Sequence, residues 1–316
     1  MEYEDYVAAL RRTGVIPVVK IENEKDALPL AEALRKGGIN AAEITFRTAA
    51  AEKCIAAMTA AFPDMLVGAG TVLTAEQADK AKAAGAKFCV APAFNEKVVQ
   101  HCKEIGMPFT AGVSNAGDIE RALDAGIDFV KFFPAEQAGG LPYIKALSAP
   151  YSSVRFMPTG GIGEDNFQEY LSFGKVVCCG GSWLAAEKLV KARKWEEITA
   201  LCRRAVNKML DFSIEHVGVN CESAETAAEG AAFFERAFSL APDDRGASVF
   251  AGTAVEFMKS PYLGANGHIA IGTASLERAE YQLRMRGFEA DESTRSARAV
   301  YLKDRVCGFA VHLLQK

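Results

Sequence analysis

Short apolar runs alternate with helical stretches along the first part of the chain. Eight such runs begin near residues 15, 41, 66, 87, 109, 128, 154 and 175. A spacing of about 20 to 26 residues is typical of a strand followed by a helix. The stretches AEQADKAKAAGA and NAGDIERALDAG are predicted helices that stop at Gly85 and Gly126. Eight units predict a (β/α)8 TIM barrel. The alternative is an open doubly wound sheet, which the unit count and the lack of GxGxxG after the first strand disfavour.

The pattern changes near Asp211. From there the chain reads strand, helix and three strands, and this βαβββ order is written twice. The first copy runs from FSIEHVGVNC to AVEFMK, and the second from NGHIAIG to CGFAVHLLQ. In each copy, the sequence pattern of one strand is weak. The predicted fold is therefore α/β, with a barrel over residues 1–210 and a smaller α+β domain of paired βαβββ modules over residues 211–316.

Composition limits the kinds of function. The chain has 316 residues, 50% of them hydrophobic, which is enough for two domains with sizeable cores. A net charge of -4 gives no basic surface for nucleic acid. The N-terminal stretch MEYEDYVAALRRTG has no apolar signal core, and no later run has about 18 consecutive apolar residues. We expect a cytoplasmic protein that binds neither nucleic acid nor membrane. Eight cysteines without a CxxC pair are expected to be mostly buried, reduced thiols.

A lysine interrupts the most apolar predicted strand, FVKFF, at Lys131. Burial of a lysine disfavours its ammonium form and lowers its pKa, so that free amine exists at neutral pH. A free amine attacks ketones, and the Schiff base that results withdraws electrons from a neighbouring carbon–carbon bond. Lys131 is therefore a candidate for metal-free aldol cleavage.

Polar residues also end the second predicted strand. Glu43, Thr45 and Arg47 alternate, and alternate residues of a strand share one face. At the carboxyl end of a barrel strand they would point into the barrel mouth, where Glu43 could transfer protons for the lysine. The alternative is a structural one, in which these charges only pair with each other or with Lys131.

Two glycine pairs follow the last two predicted strands, in MPTGGIGEDN and CCGGSWL. Barrels commonly bind phosphate in these two loops, and backbone N–H groups approach an anion closely where no Cβ intervenes. The candidate phosphate ligands are Thr159, Gly160, Gly161, Gly181 and Ser182.

These residues lie in motifs that resemble those of the 2-dehydro-3-deoxy-6-phosphogluconate (KDPG) and KHG/KDPG aldolases. The resemblance covers about the first 185 residues of the chain. The shared motifs are AEITFRT, VGAGTV, VKFFPAE, RFMPTGGI and GGSWL. The resemblance implies a class I aldolase on a (β/α)8 barrel, assembled as a homotrimer and acting without a cofactor on a small phosphorylated keto acid. It implies cleavage of KDPG to pyruvate and glyceraldehyde 3-phosphate. The galactonate epimer of KDPG and 4-hydroxy-2-oxoglutarate, which gives pyruvate and glyoxylate, are alternative substrates that the sequence does not separate.

The resemblance also assigns roles to residues. Lys131 corresponds to the Schiff-base lysine and Glu43 to the proton-transfer carboxylate. The binding residues are Arg47 and Thr71 for the keto-acid end, Pro92 and Phe133 beside the reacting ketone, and Gly160, Gly161 and Ser182 for phosphate. The stretch GVSN at residues 112–115 departs from the more usual GxST of the family.

The tail is similar to the glyoxalase/vicinal-oxygen-chelate superfamily, and three of the four histidines of the chain lie in its strands. The resemblance implies a divalent metal held by one residue from each of four strands. The matching residues are His216, Glu256, His268 and His312. Imidazoles with one carboxylate suit zinc, nickel, iron or manganese. The chain departs from the superfamily at His312, where the usual ligand is a carboxylate, and strand histidines can also be packing residues.

Two interpretations stay open. In the first, the protein is an aldolase with an accessory tail. In the second, the barrel binds phosphosugars and the C-terminal domain carries a metal-dependent reaction. The presence of Lys131, Glu43 and Arg47 together favours the first.

Overall fold

The computed structural model describes residues 2–316 of the chain. The chain forms two compact units, divided between Met209 and Leu210. We call them unit 1 and unit 2. No helix within the described residues is long and apolar enough to cross a membrane.

Unit 1 alternates parallel strands with helices. Its strands are β1 Val15–Val19, β2 Ala41–Thr45, β3 Leu66–Gly70, β4 Cys89–Val90, β5 Phe109–Thr110, β6 Gly112–Val113, β7 Phe129–Phe132, β8 Arg155–Pro158 and β9 Cys179–Gly181. Its helices are α1 Tyr3–Thr13, α2 Ala27–Lys36, α3 Ala51–Ala61, α4 Ala75–Ala83, α5 Glu96–Glu104, α6 Ala116–Asp124, α7 Gly140–Ser148, α8 Phe167–Ser172, α9 Glu187–Lys191 and α10 Trp195–Leu210. The predicted α/β fold with a parallel sheet is confirmed.

The strands of unit 1 pair in a closed ring. One parallel sheet has the order β5-β4-β3-β2-β1-β9, and a second has the order β6-β7-β8. Only Ala111 separates β5 from β6, so one segment joins the two sheets on one side. On the other side, parallel bridges join Phe156 to Val176 and Thr159 to Gly180. Because all pairings are parallel, the carboxyl ends of the strands lie at one end of the ring.

Local sequence explains where the helices begin and end. Thr74 and Asn115 cap α4 and α6 by accepting hydrogen bonds from Gln77 N and Asp118 N. The predicted stops Gly85 and Gly126 follow these helices with φ of 85° and 69°, a conformation that glycine adopts without strain. Helix α1 covers the amino ends of the strands, because its Tyr6, Val7 and Leu10 pack in one core with residues of the strands.

Unit 2 is one mixed sheet with two helices. Its strands are β10 Ser213–Asn220, β11 Pro242–Asp244, β12 Ser248–Ala251, β13 Val255–Met258, β14 Gly267–Thr273, β15 Ala290–Asp291, β16 Ala299–Val306 and β17 Phe309–Gln315, and its helices are α11 Ala224–Phe238 and α12 Leu276–Met285. The sheet order is β11-β12-β13-β10-β14-β17-β16-β15. The first and last strands of each half pair in parallel, and antiparallel pairing of β10 with β14 joins the halves.

Candidate active site and a second polar cluster

A buried ion pair lies inside the ring of unit 1. Lys131 on β7 and Glu43 on β2 are 5% and 0% exposed. Lys131 Nζ donates a hydrogen bond to Glu43 Oε1 over 3.1 Å. Strands β2 and β7 are not neighbours in the sheets, so contact between these side chains requires that both point into the ring. The structure therefore brings together the two residues that the sequence proposed for Schiff-base and proton-transfer chemistry.

The second oxygen of Glu43 takes no part in the ion pair. Glu43 Oε2 is buried and has no hydrogen-bond partner within the described residues. Leaving a carboxylate oxygen buried and unpaired is costly, and a hydrogen bond from a bound molecule removes that cost. The aromatic ring of Phe133 also lies near the lysine, with its centre 5.7 Å from Lys131 Nζ. The pair can thus offer an amine and a free carboxylate oxygen to one small molecule.

Gly70 makes room for Glu43, a role that the sequence analysis missed. Gly70 ends β3 and lies opposite Thr45 in the register with β2. A Cβ on Gly70 would lie 2.2 Å from Glu43 Oε1 and 2.7 Å from Glu43 Cγ, closer than real Cβ contacts. The glycines of VGAGTV were visible in the sequence, but only the register shows which side chain the missing Cβ accommodates.

The candidate keto-acid residues lie at the same end of the ring. Strand β2 ends at Thr45, so Arg47 lies beyond the strand as an exposed residue, and strand alternation does not direct it into the ring as expected. Its Nε donates to Thr45 Oγ1 over 3.2 Å. Thr71 follows β3 directly and has a φ of 57°, which is strained for a β-branched residue. Such strain is concentrated at functional sites. Pro92 and Phe133 are half-buried beyond the ends of β4 and β7.

The two candidate phosphate loops are neighbours. The bridge between Thr159 and Gly180 joins the ends of β8 and β9, where both loops begin. Thr159 is 6% exposed, and its Oγ1 has no hydrogen-bond partner within the described residues. Gly160 and Gly161 have φ of 96° and 77°, so neither position suits a side chain. Gly181 is buried and Ser182 is exposed. These loops combine close backbone approach with two hydroxyl groups, as the sequence predicted for an anion.

A second polar cluster lies on one face of the unit 2 sheet. The register of four adjacent strands places Glu256, Gly218, His268 and Ala310 in one row, since each is the partner of the next. His216, Ala270 and His312 form the next row in the same way. Along each row, side chains that can bind a metal ion therefore alternate with small residues. A Cβ on Gly218 would lie 2.1 Å from the His268 ring, so glycine leaves the space into which the imidazole extends.

The four polar side chains of this face meet. His216 Nε2 lies 3.1 Å from His268 Nε2, and Glu256 Oε2 lies 3.2 Å and 3.1 Å from these two nitrogens. The ligand atoms of His216, His268 and His312 all lie within 4.8 Å of one another. Tyr301 stacks on His312 with ring centres 4.7 Å apart. The structure thus brings together all four residues that the sequence named as metal ligands.

The protonation states of His312 and Glu256 suit a cation. Burial, followed by repulsion from His268 and His216, lowers the pKa of His312 to about 4, so its imidazole is neutral at neutral pH. Burial raises the pKa of Glu256, but hydrogen bonds with His216, His268 and Ser248 outweigh that effect and hold the pKa well below its usual range. Buried nitrogens without a hydrogen-bond partner are His268 Nδ1 and both ring nitrogens of His312. A neutral imidazole and an ionised carboxylate are both ligands that borderline divalent metals accept.

Comparison with known proteins identifies the family of unit 1. Residues 7–201 match the family model described as KDPG and KHG aldolase. The chain therefore belongs to the KDPG/KHG aldolase family. The matched region lies within unit 1, and unit 2 lies outside it.

Individual relatives agree with the family match. A 2-dehydro-3-deoxy-phosphogluconate aldolase of Haemophilus influenzae is 47% identical over 204 residues, which are 65% of this chain and 96% of the relative. One of Treponema pallidum is 50% identical over 198 residues, or 63% of this chain and 94% of the relative. A solved structure of the Legionella pneumophila KDPG aldolase, with pyruvate captured at low pH as a covalent carbinolamine intermediate, matches with a TM-score of 0.61. It is 41% identical, and the match covers 63% of this chain and 97% of that one.

Proposed function

We propose that unit 1 is a class I aldolase that cleaves KDPG to pyruvate and glyceraldehyde 3-phosphate. The observation that carries this proposal is the Lys131–Glu43 pair, buried inside a ring of parallel strands with one carboxylate oxygen free. Membership of the KDPG/KHG aldolase family supports it, as does the covalent pyruvate carbinolamine in the Legionella relative. The enzyme is an aldehyde-lyase, and the ring of parallel strands supports the (β/α)8 barrel expected from the sequence.

The contact of 3.1 Å between Lys131 and Glu43 allows the lysine to pass a proton to the carboxylate and become a free amine. The amine attacks the C2 carbonyl of the substrate and forms a carbinolamine. Return of the proton from Glu43 lets the C2 hydroxyl leave as water, which produces the iminium. Glu43, again a carboxylate, removes the proton of the C4 hydroxyl.

The C3–C4 bond then breaks, and its electron pair moves into the iminium to give an enamine on Lys131. Glyceraldehyde 3-phosphate leaves with the new C4 aldehyde. Protonation of the enamine at C3 and hydrolysis by one water release pyruvate and restore the amine. The iminium is the electron sink of the cleavage step, so this mechanism uses no metal in unit 1.

Substrate contacts follow from the same end of the ring. We assign Arg47 and Thr71 to the keto-acid carboxylate, with Pro92 and Phe133 beside the ketone. The phosphate would lie at Thr159, Gly160, Gly161, Gly181 and Ser182, whose loops adjoin. Cleavage of 4-hydroxy-2-oxoglutarate to pyruvate and glyoxylate uses the same steps with a substrate that lacks phosphate. A homotrimer and a cytoplasmic location stay predictions from the sequence.

An assay of the full chain tests this function. With KDPG, pyruvate and glyceraldehyde 3-phosphate are expected in equal amounts, because one bond of one substrate is broken. The rate is expected to be the same after a metal chelator is added, since the electron sink is the iminium. Coupled measurement of both products checks this. Absence of cleavage, or cleavage that the chelator stops and added metal restores, would show that the proposal is wrong.

A second candidate function concerns unit 2, which we propose binds a divalent metal ion. His216, Glu256, His268 and His312 would hold it, and the convergence of the three histidine ligand atoms within 4.8 Å of one another, with Glu256 Oε2 beside two of them, supports this assignment. The two βαβββ halves support the resemblance to the glyoxalase/vicinal-oxygen-chelate superfamily. When bound, such an ion would act as a Lewis acid toward an oxygen of a ligand. Titration of the full chain with Zn²⁺ tests the assignment, and one site per chain is expected.

A further inference from the structure

A serine lies beside the carboxylate of the unit 2 cluster. In the antiparallel pairing of β12 with β13, Ser248 lies opposite Met258 and Phe250 opposite Glu256. Since side chains alternate along a strand, this register puts Ser248 and Glu256 on the same face, one step apart on the diagonal. Ser248 is 3% exposed, and its Oγ donates a hydrogen bond to Glu256 Oε1 over 2.6 Å. The serine hydroxyl is therefore held against one oxygen of the carboxylate.

The two oxygens of Glu256 have different partners. Oε1 accepts the proton of Ser248, whereas Oε2 faces His216 Nε2 and His268 Nε2 at 3.2 Å and 3.1 Å. Groups outside the ligand set usually orient metal ligands by hydrogen bonds. Within residues 2–316, His268 Nδ1 has no such partner. Ser248 therefore gives Glu256 the kind of orienting hydrogen bond that His268 Nδ1 lacks.

We propose that Ser248 is a positioning residue that fixes Glu256 so that only Oε2 is presented to a metal ion. The inference rests on the metal binding proposed for unit 2 and specifies how its carboxylate takes part. The ion would then be held by three imidazoles and a single carboxylate oxygen. Without the serine proton, the carboxylate is free to rotate or to present both oxygens, which changes the affinity and the number of donor atoms.

The test compares metal binding by the full chain and two variants. Ser248→Ala removes the hydroxyl at the cluster. Ser293→Ala is the matched control, because Ser293 Oγ also donates to a carboxylate oxygen, Asp291 Oδ1, over 2.6 Å but is exposed and lies outside the cluster. Zn²⁺ affinity is measured by competition with a chromophoric chelator, and the donor geometry by the visible absorption spectrum of the Co²⁺-loaded protein.

We expect Ser248→Ala to bind Zn²⁺ about 10- to 100-fold more weakly and to change the Co²⁺ spectrum, whereas Ser293→Ala matches the unaltered protein. Equal affinity and an equal spectrum for both variants would overturn the role of Ser248 and leave the metal site intact. Absence of Zn²⁺ binding by the unaltered protein would instead overturn the metal site itself.

A second measurement keeps the proposal testable if Ser248→Ala does not fold. The unaltered full chain is labelled with ¹³C-glutamate, and its infrared spectrum is recorded with and without Zn²⁺. Coordination through one oxygen separates the two carboxylate stretching bands widely, whereas coordination through both oxygens brings them closer together. The proposal predicts a wide separation in the difference spectrum, and a narrow separation would contradict it.

Discussion

Replacing Glu43 by glutamine is expected to lower the turnover of KDPG by roughly 10²- to 10⁴-fold, the usual contribution of a general acid–base group. Glutamine has nearly the same shape and can still accept a hydrogen bond from Lys131 Nζ. Its amide, however, takes no proton from Lys131 or from the C4 hydroxyl of the substrate. The loss should appear mainly in kcat, because the residues assigned to the keto acid and to phosphate are unchanged. Steady-state kinetics with KDPG measures it.

The control for this variant is Glu104→Gln, the same change at a surface residue of α5. Glu104 accepts a hydrogen bond from Gln100 over 3.0 Å and is exposed. Its replacement is expected to leave kcat within about two-fold, as is usual for surface substitutions. Thermal unfolding of both variants checks that the fold is kept. If Glu43→Gln keeps more than about a tenth of the original turnover, Glu43 is not the proton-transfer group.

Replacing Gly70 by alanine is expected to lower turnover by on the order of 10²-fold, although neither reacting group is altered, because a displacement of about 1 Å is enough for such a loss. The new Cβ would lie 2.2 Å from Glu43 Oε1, so the carboxylate must shift. The matched control is Gly174→Ala, since a Cβ there meets no atom within 4 Å. Turnover by Gly70→Ala equal to that of the control would mean that the position of Glu43 is not critical.

The sequence could predict the strands of unit 1 because each is a short apolar run between helices with clear stops. All eight predicted segments contain observed strands, but several strands are shorter than the apolar run. The run that begins near residue 175 contains only β9, Cys179–Gly181, because Val176 joins its neighbour by a single bridge. In unit 2, the poorly marked strands are β11 and β15, which are short and lack an apolar run. Pairing with a neighbour, rather than periodicity, defines such strands.

The sequence also predicted part of the two candidate sites, because some of their residues are unusual in an apolar strand. Lys131 was conspicuous because a cation in an apolar strand needs an explanation, and Glu43 because a carboxylate lies near the end of another apolar run. Gly70 and Ser248 were missed. Their roles depend on which residues face each other across two strands, and this register is set by packing of the whole sheet. Neither a small residue nor a serine carries such information in its own sequence neighbourhood.

The proposed mechanism depends on a Schiff base between Lys131 and the keto-acid product. The most direct measurement is reduction with borohydride in the presence of pyruvate, followed by peptide mapping of the full chain by mass spectrometry. Reduction converts the imine to a stable secondary amine, so we expect one added pyruvate-derived group per chain, located on Lys131, and none when pyruvate is omitted. Labelling of another lysine, or an intact active chain without any adduct, would contradict the Schiff-base mechanism.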